Sequence, residues 1–307
     1  MRKLPCSEEG TNPISLPQEF YFSTLNAETR HDLTDAQWNV LKPLLPAPSH
    51  LGRPSRYPLR DLINGIRHRI RIGCPWRDVP SRYGPWWRIY ALFKSWQCSG
   101  LWAEIEAGLQ SKADEQGKLG WDLAVDSTTA RAHVHAAGAR RDSFERVDGE
   151  PADHALGRSR GGFSTKVHLA RDGYLQSVSF TFTAGQAWDA PQLTEVLRRI
   201  GARPSRTRPN RVMADKAYSS QSIREHLRRR GIKTTIPVKD DQVKHRKARG
   251  HRGGRPPAFD AEIYKVRHAV ERCFNALKHK RGVATRYDVA IDDAIHPVAI
   301  GPRRTGR

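Results

Sequence analysis

The chain is short of sulfur: its 307 residues include 4 cysteines and 2 methionines. Cys6, Cys74, Cys98 and Cys273 lie far apart, with no Cys-x-x-Cys pair. That spacing suggests neither a zinc knuckle nor a disulfide framework, and it suits reduced thiols. Long apolar runs are missing too. No stretch approaches the roughly 18 uninterrupted apolar residues of a membrane span. The N-terminal Met1-Arg2-Lys3-Leu4-Pro5 leads into polar sequence instead of a signal core, so the expected location is the cytoplasm. Acidic residues are the third deficit: 32 Asp and Glu against 53 Lys and Arg leave a formal charge of +21.

Such an excess of cations repels itself unless its partner is a polyanion, and the common polyanions are nucleic acids and anionic membranes. Nucleic acid is the better fit, because no basic segment is also a clean amphipathic membrane helix. A cytoplasmic protein of this kind is expected on the nucleoid, with no membrane partner. An apolar fraction of 37%, with 8 Trp, 8 Tyr and 9 Phe, is too rich for a wholly disordered chain. The length suits one large domain or two modest ones, at roughly 100 to 200 residues each.

Residues 1–30 lack a sustained period and read as a poorly ordered leader. Thr34-Asp35-Ala36-Gln37 matches a capping box, and Trp38, Leu41, Leu44 and Leu45 follow at helical spacing until Pro43 and Pro46 limit the helix. Leu59, Leu62, Ile63, Ile66 and Ile70 predict a second helix with a core face, while Arg60, Arg67 and Arg71 share a cationic one. Trp86, Trp87, Tyr90, Phe93 and Trp96 predict a third, and Leu101, Ile105 and Leu109 a fourth. Residues 31–115 are thus expected to form a small all-helical module.

From Gly120 the pattern turns to strands, at 123–126, 163–169, 175–183, 211–215 and 233–238. Helices are expected at 191–200 and 220–230 between the later ones, an order that implies a mixed α/β sheet. Residues 239–257, dense in Lys, Arg, His and Gly and without an apolar face, read as a basic loop. One longer helix is expected from about Ala261 to Lys280.

Two of the strand-like runs, Leu123-Ala124-Val125-Asp126 and Arg211-Val212-Met213-Ala214-Asp215, end on an aspartate. Reactive groups of open α/β sheets gather at the carboxyl ends of strands, so the two carboxylates are placed to meet at one edge. A third acid, Glu271, belongs to the long helix. At roughly 100° per residue, Tyr264, Arg267, Glu271 and Lys278 fall on one stripe beside an apolar face of Ile263, Val266, Val270, Phe274 and Leu277. Three carboxylates at one point repel one another unless cations neutralise them. Mg²⁺ is the natural guest, being hard and oxygen-seeking. Two such ions stabilise the attacking and leaving oxygens of an in-line displacement at phosphorus. Arg267 and Lys278 are then placed to hold a substrate backbone, while the Tyr264 ring is as well suited to packing as to the site.

The spacing Tyr264-x2-Arg267-x3-Glu271-x6-Lys278 is similar to the signature Y-(2)-R-(3)-E-(6)-K of bacterial DDE transposases of the insertion sequence four and five group. Leu33-Thr34-Asp35-Ala36-Gln37-Trp38, Gly52-Arg53-Pro54 and Gly73-Cys74-Pro75-Trp76-Arg77-Asp78-Val79-Pro80 resemble the N-terminal region of insertion sequence five transposases. Ala124-Val125-Asp126-Ser127-Thr128, Gly161-Gly162-Phe163-Ser164-Thr165-Lys166 and Ala214-Asp215-Lys216-Ala217-Tyr218 resemble that family's segments around its first and second aspartates. The match covers roughly residues 33–288.

The resemblance implies an RNase H-like catalytic domain at 116–288, with Asp126, Asp215 and Glu271 as catalytic acids and metal ligands. It implies Mg²⁺ dependence through two ions, with Mn²⁺ able to substitute. The implied partners are double-stranded DNA, both terminal inverted repeats and target, and further copies of the chain in a synaptic complex. After Arg286-Tyr287-Asp288 the family usually continues with an apolar helix. Here Asp292-Asp293, Pro297, Pro302 and Arg303-Arg304 follow, so residues 289–307 read as an atypical, disordered or frame-shifted tail.

Gly52-Arg53-Pro54 and Gly254-Arg255-Pro256 read either as arms that put Arg53 and Arg255 into a minor groove or as ordinary loop turns. Three helices of similar length compete for the role of recognition helix. The leading functional expectation is a transposase that cuts element ends and joins them to target DNA. The alternatives are an inactive remnant that only binds DNA in a sequence-specific way, and a general RNase H-like nuclease.

Overall fold

The structure is a computed structural model and describes residues 32–47, 55–133, 136, 153–173, 177–200 and 208–286. The leader and tail named above lie outside these residues, as does Arg53. The described residues from Leu33 onward belong to one compact unit.

Helix α1 (Asp35–Leu41) starts on the capping box legible in the sequence: the Thr34 hydroxyl accepts from the Gln37 N–H, and the Gln37 side chain accepts from the Thr34 N–H. Helix α2 (Leu59–Ile72) buries Leu62, Ile63, Ile66 and Ile70 and stops at Gly73, whose φ of 74° only glycine adopts freely. Each of the three buried isoleucines contributes about 1.5–3 kcal/mol by leaving water. Helices α3 (Trp86–Cys98) and α4 (Leu101–Glu115) follow, with Trp96 and Trp102 stacked edge to face at 4.9 Å.

The sheet holds β1 (Asp122–Ala132), β2 (Gly157–Ser159), β3 (Gly162–Arg171), β4 (Ser177–Ala184), β5 (Arg211–Ala214), β6 (Lys233–Thr235) and β7 (Thr285–Arg286). On one side β1 pairs antiparallel with β3, which pairs antiparallel with β4; on the other β1 pairs parallel with β5, and β5 parallel with β6. With β1 between its antiparallel and parallel halves, this is the mixed α/β sheet that the order of elements implies. Helices α5 (Asp189–Arg199) and α6 (Gln221–Arg229) fall where their apolar periods place them.

Side chains alternate across a strand, and the alternation sorts the two cores. Leu123, Val125, Val212 and Ala214 point to the face covered by Leu193, Val196 and Leu197 of α5 and by Ile223 and Leu227 of α6. Ala124, Leu169, Phe182 and Met213 point to the other face. There they share one hydrophobic cluster with Leu41, Ile66, Ile89 and Ile105 of the N-terminal helices. The helices therefore complete the sheet's core. Gln110 of α4 reinforces the union, donating to the Ser177 and Val178 carbonyls at 3.2 and 3.3 Å.

Two expectations are corrected. Residues 239–257 are not a simple loop, because Asp240–Ala248 forms helix α7. It buries no residue, so no apolar period marks it. Asp240 and Asp241 in its first turn and His245, Arg246 and Lys247 in its last complement the helix dipole instead. Nor is the stretch from Ala261 to Lys280 one helix. It comprises α8 (Ala261–Tyr264), a 3₁₀ turn at Lys265–Arg267, α9 (His268–Lys278) and, after Lys280, the short α10 (Arg281–Ala284). Among the described residues no helix is long and apolar enough to cross a membrane.

Candidate active site

The last parallel pair between β1 and β5 is Val125 with Ala214, so Asp126 and Asp215 occupy the next register position on two adjoining strands. Neighbouring strands run about 4.8 Å apart. By parity both acids share the face of Ala124 and Met213, the face that Val270 and Phe274 of α9 also cover. β1 does not end on its aspartate, as its apolar run suggests. It continues to Ala132, with β3 along one edge and β7 taking up pairing at Arg131. Asp215 does end its strand, and its carboxylate accepts from the Ala217 N–H at 2.8 Å to cap the following 3₁₀ turn.

From the helical side comes Arg267. Its guanidinium donates to Asp126 Oδ2 at 2.5 Å and to Glu271 Oε1 at 2.9 Å, and His268 Nδ1 lies 3.3 Å from the other Glu271 oxygen. The 3₁₀ turn at 265–267 carries Arg267 against β1. With about three residues per turn instead of 3.6, it also rotates Tyr264 away from the stripe that continuous helix arithmetic assigns it. Tyr264 remains close, with its ring centroid 6.0 Å from the Arg267 guanidinium carbon and 5.3 Å from the Phe259 ring.

Exposure divides the acids. The Asp126 side chain is 18% exposed and that of Glu271 48%. Burial pushes the Asp126 carboxyl above its ordinary pKa, against the pull of Arg267 and the Ser127 N–H, and the charges of Asp215 and Glu271 push the same way. Glu271 is held below the usual range, first by its hydrogen bond to His268 and also by Arg267. Burial opposes the charge on Arg267, yet Asp126, Tyr264, Glu271 and Asp215 together keep its pKa above the usual one. The Tyr264 phenol is raised, mainly by burial.

Asp126, Asp215, Arg267, Glu271 and Tyr264 thus meet at one place. Lys278 stands further along α9, exposed, about 10 Å from Glu271 at 1.5 Å per residue. Arg255 is exposed on the extended segment before α8 and does not join the cluster. The oxygen donors are all hard, which suits Mg²⁺. Among the described residues, however, no three acidic, imidazole or thiol groups converge closely enough to hold one ion. The position between Asp126 and Glu271 is filled by a guanidinium, itself a cation shared by both carboxylates.

One polar group lies outside the acids read from the sequence. On the opposite face of β1, the Ser127 hydroxyl donates to Asp189 Oδ1 at 2.8 Å, and Lys166 Nζ lies 3.0 Å from the same oxygen. Lys166 also donates to the Ala187 carbonyl at 2.7 Å, and His168 pairs with the Thr183 hydroxyl at 2.8 Å. Burial drives the His168 imidazole down to about pKa 4. This network fixes the residue next to Asp126 from behind. Its sequence signal is Lys166 and His168 alternating with apolar residues in an otherwise buried strand.

Residues 118–288 match the family model described as the transposase DDE domain. Residues 33–106 match DUF4096, assigned provisionally to transposases of the IS4/5 family. Over 109 residues the chain is 36% identical to the uncharacterized protein y4sN of Sinorhizobium fredii (strain NBRC 101917 / NGR234), an overlap of 36% of this chain and 83% of that protein. Over 110 residues it is 30% identical to an uncharacterized 16.2 kDa protein of insertion element IS402 of Burkholderia cepacia, which covers 33% of this chain and 73% of that protein. A chain in the crystal structure of the Mos1 strand transfer complex aligns over 97% of this chain and 82% of its own length. Its 12% identity and TM-score of 0.26 are too low to carry an argument.

Proposed function

The chain belongs to the transposase DDE domain family, and from that premise we propose that it moves an insertion sequence. In this reading it binds the element's terminal inverted repeats, hydrolyses the phosphodiester at each end, and directs the freed 3′-hydroxyl onto target DNA. A second copy of the chain holds the other end. The observation that carries the reading is the adjoining placement of Asp126 and Asp215, where β5 ends beside the middle of β1, with Arg267 pairing Asp126 to Glu271.

Transposase DDE domains generally depend on divalent metal, and Asp126, Asp215 and Glu271 are the residues that would hold Mg²⁺ here. A bound Mg²⁺ would supply positive charge for the phosphodiester chemistry and would favour ionisation of the attacking water or hydroxyl. The remaining work falls to the chain's own groups. Asp126 is kept rigid from behind by Ser127 and Asp189. Arg267 pairs with two carboxylates in the free protein and is within the same cluster to take a phosphate when DNA arrives, whose two free oxygens suit its planar fork. Tyr264 and Lys278 extend that contact along the backbone. Arg255, and Arg53 beyond the described residues, reach further DNA.

A second reading is a DNA-binding remnant without catalysis, favoured by the absence of a converged three-acid group among the described residues. One experiment separates the two. The purified chain is incubated with labelled terminal-repeat duplexes and with scrambled duplexes, with and without Mg²⁺. The transposase reading expects Mg²⁺-dependent cuts at the repeat ends that vanish in Asp126→Asn. Specific binding without cutting in any metal supports the remnant, and cutting that ignores the repeats points to a general nuclease.

A further inference from the structure

The surroundings of α2, α3 and α4 separate the three helices that compete to read DNA. α2 buries Leu62, Ile63, Asn64, Gly65 and Ile66 in succession, which is more than one turn of 3.6 residues. A helix covered all round at its middle has no side left for a groove. α4 is tied to the sheet through Gln110, and Glu104, Glu106, Asp114 and Glu115 give it a surface that repels phosphates. Its cation, Lys112, donates to the Val40 carbonyl.

α3 is built differently. A Cβ on Gly65 of α2 would stand 2.8 Å from Ile89 Cδ1, so the glycine is the seat on which Ile89 rests. Phe93 and Trp96 are buried with Ile89. At about 100° per residue, Trp87, Ala91 and Lys94 come out opposite Ile89, with Arg88 and Tyr90 on either flank. The aromatic run of α3 therefore divides: Phe93 and Trp96 go to the core, while Trp87 is 53% and Tyr90 42% exposed.

The outward face has one sign of charge. From Val79 to Ala103 the sequence contains no Asp or Glu, and Arg82, Arg88 and Lys94 fall within it. The Arg88 guanidinium carbon lies 5.2 Å from the centre of the Trp87 ring, a stack that holds both side chains together at the surface. Exposed aromatic groups gathered in this way mark a partner. A second copy of a chain at +21 would bring its own cations to a cationic face, whereas DNA brings the complementary charge.

We propose that α3 is the helix that enters the major groove of the terminal-repeat DNA. Arg88, in its first turn, reads the edge of a guanine, Trp87 lies against a thymine methyl, and Lys94 takes a backbone phosphate. The inference rests on the transposase reading and adds to it the element that chooses the sequence.

The test measures the affinity of the full chain, without Mg²⁺, for a terminal-repeat duplex and for a scrambled duplex of the same composition. The wild type is compared with Trp87→Ala, Arg88→Ala and Lys94→Gln. Thermal melts check folding, and midpoints should hold because none of the three residues is in the core. Arg88→Ala is expected to lose about ten- to a hundredfold of the preference for the repeat, and Trp87→Ala about tenfold. Lys94→Gln should weaken both duplexes alike and lower the slope of log affinity against log salt by about one. Among single base-pair changes in the repeat, at least one G·C position should weaken the wild type and leave Arg88→Ala unaffected.

Folded Trp87→Ala and Arg88→Ala that keep the wild-type preference overturn the inference and leave the transposase reading standing, since repeat ends would still be bound through another element. Equal losses on both duplexes in those two variants make α3 a general backbone contact and overturn it as well. If sedimentation shows that Trp87→Ala breaks a wild-type oligomer while the preference is kept, the face seats a second copy and the DNA assignment fails. A wild type that neither prefers the repeat nor cuts at its ends removes the parent reading and this one with it.

Discussion

Arg267 stands between Asp126 and Glu271, donating 2.5 Å to a carboxylate 141 residues away in the chain and 2.9 Å to one a single helical turn along. One guanidinium therefore ties the central strand to the helix that carries the third acid. It also sits between two of the acids that the proposed reading gives to a metal, which makes its removal informative.

Arg267→Ala leaves Asp126 partly buried without its cation. The expected loss in unfolding free energy is about 1–3 kcal/mol, measured by denaturant melts. Mg²⁺, no longer competing with a resident charge, should bind the free protein more tightly by calorimetric titration. Arg267→Lys keeps the charge but not the fork that reaches two carboxylates, so its stability should recover only in part.

Asp126→Asn should separate stability from activity. The folded carboxyl titrates above its ordinary pKa because of burial. The folded protein therefore holds this proton to higher pH than the unfolded chain does, and the cost of ionising it is fully present at neutral pH. The amide removes that cost. Melting temperature at pH 7 is expected to stay level or rise, and the gain over the wild type to shrink as pH falls towards the acid range. Repeat-end cutting should drop by about a thousandfold or more, as expected when a group acting at the transition state is lost.

His168 gives the opposite dependence. It is fully buried, and its pKa of about 4 lies below the ordinary 6.5. Between pH 6.5 and 4 the unfolded chain takes up a proton that the folded protein refuses, so stability falls with pH by up to about 3 kcal/mol. His168→Gln keeps a partner for Thr183 without the titration. Melts from pH 4 to 7 should show a flatter profile for the variant, and equal acid sensitivity in both proteins would contradict the assignment.

Gly282→Val puts a branched side chain where a single Cβ already meets the Ile70 carbonyl at 2.8 Å. The expected cost is about 1–3 kcal/mol. Because the seam between α10 and α2 must open, the loss should show as a lower midpoint in thermal and denaturant melts, and an unchanged midpoint would contradict the close packing.

What the sequence revealed of all this follows from which signals are local. The Thr34 cap, the core stripe of α2 and the aspartate that follows β5 depend on near neighbours, and each stands where its pattern puts it. β1 runs on through Ser127, Thr128 and Thr129 because β3 pairs along its edge, which no local apolar run reports. Helix α7 was hidden for the reverse reason: it faces solvent all round, and only its end charges betray it. The 3₁₀ turn at Lys265–Arg267 interrupts a stripe that reads as continuous, and the tie from Arg267 to β1 is tertiary. The same holds for the Ser127, Lys166 and Asp189 network, whose members come from three elements. The shared core of helices and sheet escapes composition altogether, since an apolar face does not name its partner.

The central claim is that Asp126 and Asp215 hold a divalent ion for DNA cutting, and exchange of ligand and metal tests it most directly. Asp126→Cys and Asp215→Cys are assayed on a labelled terminal-repeat duplex in Mg²⁺ and in the more thiophilic Mn²⁺. The account expects both variants to be inactive in Mg²⁺ and to regain part of their cutting in Mn²⁺, beyond any change the wild type shows between the two ions. Cutting in Mg²⁺ that either cysteine leaves intact would contradict it.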